Sequence, residues 1–295
     1  MFDLALITSA VRLSTPLTLA AYGGLFSERS GIVNIALEGL MLFGAFTAAA
    51  ATYYTGSPWI GFISACAVGA AVAAVHGVVS ILFNGSQIVS GMAINILAIG
   101  LPQILCAALF GTPSSSPFLT EQRVTGEIFS HVTVLVWAGF TAAAVTAIIF
   151  RYTRFGLRLT AAGENPAALD AAGVSVVKYR FAGVIISGVL AGLGGAYLSI
   201  AHVSQFIRNM TAGRGYIALA ALILGNWKPC FVLPACLFFG FMDALQIRLQ
   251  GSEVIPVEII QILPYLITVI MLIGIISKPS PPSGLGIPYH ISKQE

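Results

Sequence analysis

The sequence predicts an all-α fold, a polytopic transmembrane helix bundle of about eight to ten spans forming one domain over residues 1–295, on three observations. Hydrophobic residues make up 57% of the chain and charged residues 8%, against about a quarter charged in soluble domains, so apolar surface must face lipid. Apolar segments near the ~20 residues that a helix needs to cross the hydrocarbon core recur along the chain. Thirty-one glycines, four of them at Gly188, Gly192, Gly194 and Gly195, suit helices that associate by close backbone approach where there is no water to expel.

Taken in order, the spans fall at 4–24, 31–52, 59–83, 88–110, 132–150, 178–201, 229–250 and 256–277. The first follows a start that lacks a cationic region and a cleavage site, and reads as a retained span. Pro16, Pro102, Pro234 and Pro264 lie within or near the ends of spans and predict kinked or broken helices. The segment 215–227 (GYIALAALILGNW) is apolar but short. It reads either as a brief span inside the bundle or as a re-entrant helix whose ends are covered by protein.

The stretch between the fifth and sixth spans, Arg151 to Arg180, is polar and holds Arg151, Arg154, Arg158, Lys178 and Arg180, five of the 14 Lys and Arg residues. That bias places it on the cytoplasmic side. A tail with Lys278 and Lys293 then ends on the same side if 215–227 crosses, which gives about nine crossings with the N-terminus outside. Trp59, Trp137 and Trp227 fall near span ends, as an interfacial aromatic belt requires. The net charge of +3 is scattered over loops and gives no footprint for nucleic acid.

Within the loop, GENPAALDAAG carries a local design. Gly163 and Glu164 lead into a turn, Asn165 is placed to cap a helix, Pro166 fits its first position, and Gly173 ends it. Ala167, Ala168 and Ala171 then give the short helix a small face. Such a helix either docks into a groove on a soluble partner or merely links two spans.

Polar residues inside spans are the candidates for a solute pathway. Glu38 lies in the second span, where an acidic residue costs about 2.5–3.5 kcal/mol on insertion scales, and Asn34 lies four residues earlier, on the same face if the segment is helical. Pathway lining, pairing with a neighbouring helix or Arg12, and interfacial snorkelling all account for Glu38. Asn95 and, more weakly, Gln103 occupy the fourth span. Asp243, Gln246 and Gln250 form a stripe at helical spacing, as do Glu258, Gln261 and Tyr265. These stripes line an aqueous route or bond to each other across a packed interface. The strings IALEGLML at 35–42 and IALAALIL at 217–224 echo each other, as two halves of a duplicated transporter would, although short apolar strings also match by chance.

Catalytic signatures are missing from the sequence. It contains neither GxSxG nor HExxH, no GxxxxGK followed by Ser or Thr, and no close Cys pairs of metal or redox spacing. The four histidines are dispersed. No bound cofactor and no metal site is expected, and ATP, if it drives transport, is hydrolysed by another chain.

Three stretches, SERSGIVNIALEGLMLFGAF at 27–46, RFGLRLTAAGENPAALDAAGV at 154–174 and GRGYIALAALILGNWKP at 213–229, together resemble the permease subunits of bacterial ABC importers of the ribose, nucleoside and branched-chain amino acid type. The resemblance covers nearly the whole chain and implies a type II importer permease of the cytoplasmic (inner) membrane. It implies as partners ABC ATPase subunits, a second permease that is homologous or identical, a periplasmic or lipid-anchored solute-binding protein, and membrane lipid. It also implies that Glu164 to Gly173 is the coupling helix for the ATPase and that Asn34 and Glu38 lie near the translocation path. The Asn-and-Glu form of GIVNIALEG is similar to the nucleoside and simple-sugar branch; ribose permeases carry an Asp-Leu-Ser form there. Nucleosides rank first as solute, other sugar-like solutes second and branched-chain amino acids third. An ion-coupled secondary transporter is the reading from a different class.

Overall fold

A computed structural model describes residues 3–119, 127–129, 132–250, 262, 266 and 280–289. Its helices in order are α1 (Leu4–Arg29), α2 (Leu37–Thr55), α3 (Pro58–Gly77), α4 (Gln87–Phe110), α5 (Val134–Tyr152), α6 (Arg154–Glu164), α7 (Pro166–Ala171), α8 (Val176–Ala196), α9 (Arg214–Leu224) and α10 (Pro229–Leu249). Five-residue and six-residue π-helical turns extend α3 through Leu82 and α8 through His202. Among the described residues the helices are accompanied by a short antiparallel pair, β1 (Glu127–Phe129) with β2 (Val132–Thr133), and an isolated bridge between Ser115 and Ile207. The span expected at 256–277, with Glu258, Gln261 and Tyr265, lies outside the described residues.

Among the described residues six helices are long and apolar enough to cross a membrane: α1, α3 and α8 with their π turns, α4, α5 and α10. Large apolar side chains such as Ile88, Met92, Ile96 and Ile104 on α4 are exposed, as lipid contact requires. In contrast, α2 is buried from Leu37 through Ala49 except at Thr47 and forms the centre of the bundle. Helices α1, α4 and α10 are not broken at Pro16, Pro102 and Pro234, and the span expected from residue 31 is corrected: it starts helically only at Leu37. The polar loop contains an amphipathic helix, α6, beside the expected short one.

Backbones meet directly at the centre. A Cβ added to Gly195 would lie 1.8 Å from the Met41 carbonyl oxygen, and one added to Gly69 would lie 2.2 Å from that of Gly188. Only hydrogen fits at these positions, which lets α2 and α3 press against α8 without intervening side chains.

Two ends of the bundle follow from its contacts. Gly31, just past α1, lies against Arg180 at the start of α8 and against Gly163, so this end carries the polar loop. At the far end Arg248 of α10 pairs with Asp3 at 2.5 Å, and the guanidinium holds the Asp3 carboxyl below its ordinary range. Helix α9, at 11 residues, is about 16 Å long, roughly half the ~30 Å hydrocarbon core. The coil 203–213 makes up the other part: Phe206 stacks edge-on against Phe46 within α2, while α9 ends near Glu28, through Trp227. Coil and half-helix together carry the chain from the far end to the loop end.

Candidate functional site

Helices α2 and α9 both begin inside the bundle. Asn34 donates to Ser187 Oγ at 2.8 Å, two turns along α8 from Arg180 and so about 10 Å deeper than the loop end. Residues 31–36 climb to that depth without helix, and every unpaired peptide group in such a place needs a partner. Side chains supply them. Val33 N donates to Gln87 Oε1 at 2.7 Å, and His76 Nε2 lies 3.1 Å from the Val33 carbonyl. Asn34 Oδ1 accepts from Ala36 N at 3.1 Å, and Asn95 Nδ2 donates to the Ile35 carbonyl at 2.9 Å.

The first turns of the two helices are then capped by side chains from other elements, α2 by Asn95 of α4 and α9 by Glu38 of α2. Asn95 Oδ1 accepts from Gly39 N, in the first turn of α2, at 2.8 Å. Glu38 turns away to the start of α9, where its Oε1 accepts from Thr211 Oγ1 at 2.5 Å and from Gly213 N at 2.9 Å, and its Oε2 accepts from Gly215 N at 2.6 Å. The two amides are among the groups that a helix N-terminus leaves unpaired, and a carboxylate there meets the positive end of the helix dipole. Asn95 Nδ2 also donates to Tyr216 OH at 3.0 Å, which closes the node across α2, α4 and α9. The fit excludes bulk: a Cβ on Gly215 would lie 2.4 Å from the Glu38 backbone.

Asn34, Glu38 and Asn95 are therefore brought to one depth, but Asn34 precedes α2, so it does not form the helical pair with Glu38 that a continuous span predicts. Arg12 is not among the hydrogen-bond partners of Glu38. Asp243 and Gln246 stand apart on α10, both half-buried, and Asp243 interacts electrostatically with Arg214 in the first turn of α9. Gln103 bonds within its own helix, to Ile99 at 2.5 Å. At the far end a cavity of about 490 Å³ opens between α1 and α10, lined with Ser9, Arg12, His202 and Arg248 among apolar neighbours. Sequence reasoning missed His76 and Gln87, whose roles depend on partners distant in sequence. It also misplaced Trp227 in an interfacial belt: the ring is buried, and Nε1 donates to Glu28 Oε2 at 2.5 Å.

A second candidate region lies at the loop end. Asn165 Oδ1 accepts from Ala168 N at 3.0 Å and caps α7, with Pro166 at its first position and Gly173 at φ +73° beyond its end. Leu169 is buried with Ala162 and Val176 and anchors the helix, while Ala167, Ala168, Ala171 and Ala172 are exposed. Gly163 is buried and Glu164 is exposed, paired with Arg29 at 3.4 Å. The result is a short helix held firmly from behind that offers a smooth face of small side chains.

Comparison with known proteins agrees with this architecture. The guanosine ABC transporter permease protein NupQ of Bacillus subtilis is 37% identical over 302 aligned residues, covering 95% of each chain. The nucleoside ABC transporter permease protein NupC of Lactococcus lactis is 36% identical, again over 95% of each. TsgC13 of Haloferax volcanii, provisionally described as a glucose ABC transporter permease, is 35% identical over 85% of this chain and 79% of its own. The family described as branched-chain amino acid transport system / permease component matches residues 6–274, and the chain belongs to it, as a multi-pass membrane permease of the ABC transporter class.

Proposed function

We propose that this permease imports nucleosides, driven by ATP that separate ATPase subunits hydrolyse. The observation that carries the solute assignment is the match, end to end, to two permeases described for guanosine and nucleosides. A solute-binding protein outside and a second permease, homologous or identical, complete the importer in this reading. The far-end cavity, at about 490 Å³, falls within the ~300–1,000 Å³ of small-molecule pockets and is its outer vestibule. From there the route passes Asp243 and Gln246 toward the node of Asn34, Glu38 and Asn95, where the two broken helices meet. Polar groups at that depth, and irregular backbone covered by protein, are what a membrane tolerates along a solute route. Uptake of labelled nucleosides by a strain lacking the gene and complemented with it tests the assignment. Competition by unlabelled nucleosides supports it, and competition by hexoses or leucine alone sinks it.

Helix α7 is the ATPase-docking element in this reading, with Gly163 to Gly173 as its frame and the exposed alanines as its contact. Ala168→Trp places a large ring on the exposed face without touching the buried Leu169 anchor. The expected result is permease in the membrane at wild-type amounts with the ATPase no longer co-purifying and uptake lost. Unchanged ATPase recovery and uptake would count against docking through this face.

A further inference from the structure

The segment 280–289, SPPSGLGIPY, returns to the loop end and is bound there along its whole length. Ser280 N and Oγ bond to Asn226 Oδ1 at 2.8 and 3.1 Å, just past the end of α9. Ser283 N and Oγ bond to Glu164 Oε2 at 3.1 and 3.2 Å. Gly284 N donates to the Gly163 carbonyl at 2.7 Å and Gly286 N to that of Gly31 at 3.0 Å. The buried Arg180 guanidinium donates to the Ile287 carbonyl at 3.0 Å. Finally Tyr289 OH lies 3.0 Å from Asp170 Oδ2 on α7, and its ring packs with Ala162, Leu169 and Val176.

Backbone crowding shows how closely this segment is fitted. A Cβ on Gly284 would lie 2.8 Å from the Gly163 carbonyl oxygen, and one on Gly163 would lie 2.4 Å from that of Arg29. Pro281 and Pro282 fix φ at the start of the segment and reduce the freedom lost on docking. A tail that merely left the membrane would need none of this, since its peptide groups could bond to water. Instead its two ends are fastened to different elements, one to Asn226 at the foot of α9 and the other to Asp170 of α7.

Resting on the reading of α7 as the docking helix, we propose that residues 280–289 form a strap that couples α7 to α9, with Ser283 and Tyr289 as positioning residues. Displacement of α7 by the ATPase pulls on Glu164, Gly163 and Asp170. The strap carries that displacement to Asn226, and α9 transmits it along its axis to the node at Glu38. Coupling of this kind passes through contiguous packed and hydrogen-bonded elements.

The test uses the whole importer, permease with its ATPase and solute-binding protein, in proteoliposomes. Ser283→Ala combined with Tyr289→Phe removes the hydroxyl bonds at both points, Ser283→Thr retains a hydroxyl, and Gly284→Leu drives the strap off Gly163. We expect the double variant and Gly284→Leu to assemble and hydrolyse ATP at rates within about twofold of wild type, while solute moved per ATP falls about tenfold. Ser283→Thr should stay close to wild type. Unchanged solute per ATP in both disruptive variants overturns the strap, as does a loss of uptake that merely follows a loss of assembled complex. Ala168→Trp run in parallel separates the two readings: if it leaves ATPase association intact, docking through α7 fails and the strap proposal fails with it.

Discussion

Glu38→Ala is expected to remove most folded permease from the membrane. The substitution leaves the Thr211 hydroxyl and the Gly213 and Gly215 amides without an acceptor, in a node where Asn95 is already committed to Ile35, Gly39 and Tyr216. Each buried donor left unpaired costs about 1–3 kcal/mol, so three of them consume a large share of the ~5–15 kcal/mol that a folded domain has. Glu38→Gln keeps one carbonyl oxygen but points an amide group at other donors, and should fall between Ala and wild type. The measurement is detergent-solubilised monodisperse protein and its unfolding temperature, taken beside uptake. If Glu38→Ala accumulates and melts like wild type while uptake alone vanishes, the carboxylate acts on the solute or its route and not as the cap of α9.

That expectation shows where sequence reading stops. Hydropathy finds α1, α3, α4, α5, α8 and α10 because each is a long apolar run, and the Asn165–Pro166–Gly173 pattern finds α7 because its signals are local. The break at 31–36 leaves no such trace. Ile32, Val33 and Ile35 are as apolar as a helix would be; Ser27 of α1 satisfies the Ile32 backbone, but the groups that satisfy Val33 and Ile35, namely His76, Gln87 and Asn95, come from α3 and α4. The capping of α9 by Glu38 joins residues 38 and 215, a pairing that no window along the chain contains. Trp227 fails for the same reason, since its partner Glu28 belongs to α1. The Ile-Ala-Leu echo finds no matching geometry: IALEGLML straddles the start of α2, whereas IALAALIL lies wholly within α9, whose first residue is Arg214. The strap was invisible because SPPSGLGIPY is a loop composition whose order comes wholly from what it touches.

Gly195→Val is expected to be as damaging as loss of Glu38, by the opposite mechanism. A Cβ at Gly195 meets the Met41 carbonyl oxygen at 1.8 Å and Ala45 N at 2.8 Å, both atoms of the α2 backbone. No rotamer change relieves a clash with main chain, so α2 must move away from α8. It cannot move alone, because α3 is pressed against it as well: a Cβ on Gly61 would lie 2.8 Å from the Ala48 carbonyl oxygen. Overpacking of a close-fitted core costs about 1–3 kcal/mol even where side chains can yield, and here they cannot. Moving α2 also draws Glu38 off Gly213 and Gly215, so the packing fault adds the polar one. Gly100→Ala is the control: no atom lies within 4 Å of a Cβ there, and alanine suits a helix better than glycine by about 1 kcal/mol. Thermal unfolding of the purified variants should show Gly195→Val lost or sharply lowered and Gly100→Ala level with wild type or slightly above it. Were Gly195→Val to melt normally, the contact of α2 with α8 would be loose enough to slide. The centre of the bundle, rather than α9 and its strap, would then be the part free to move during transport.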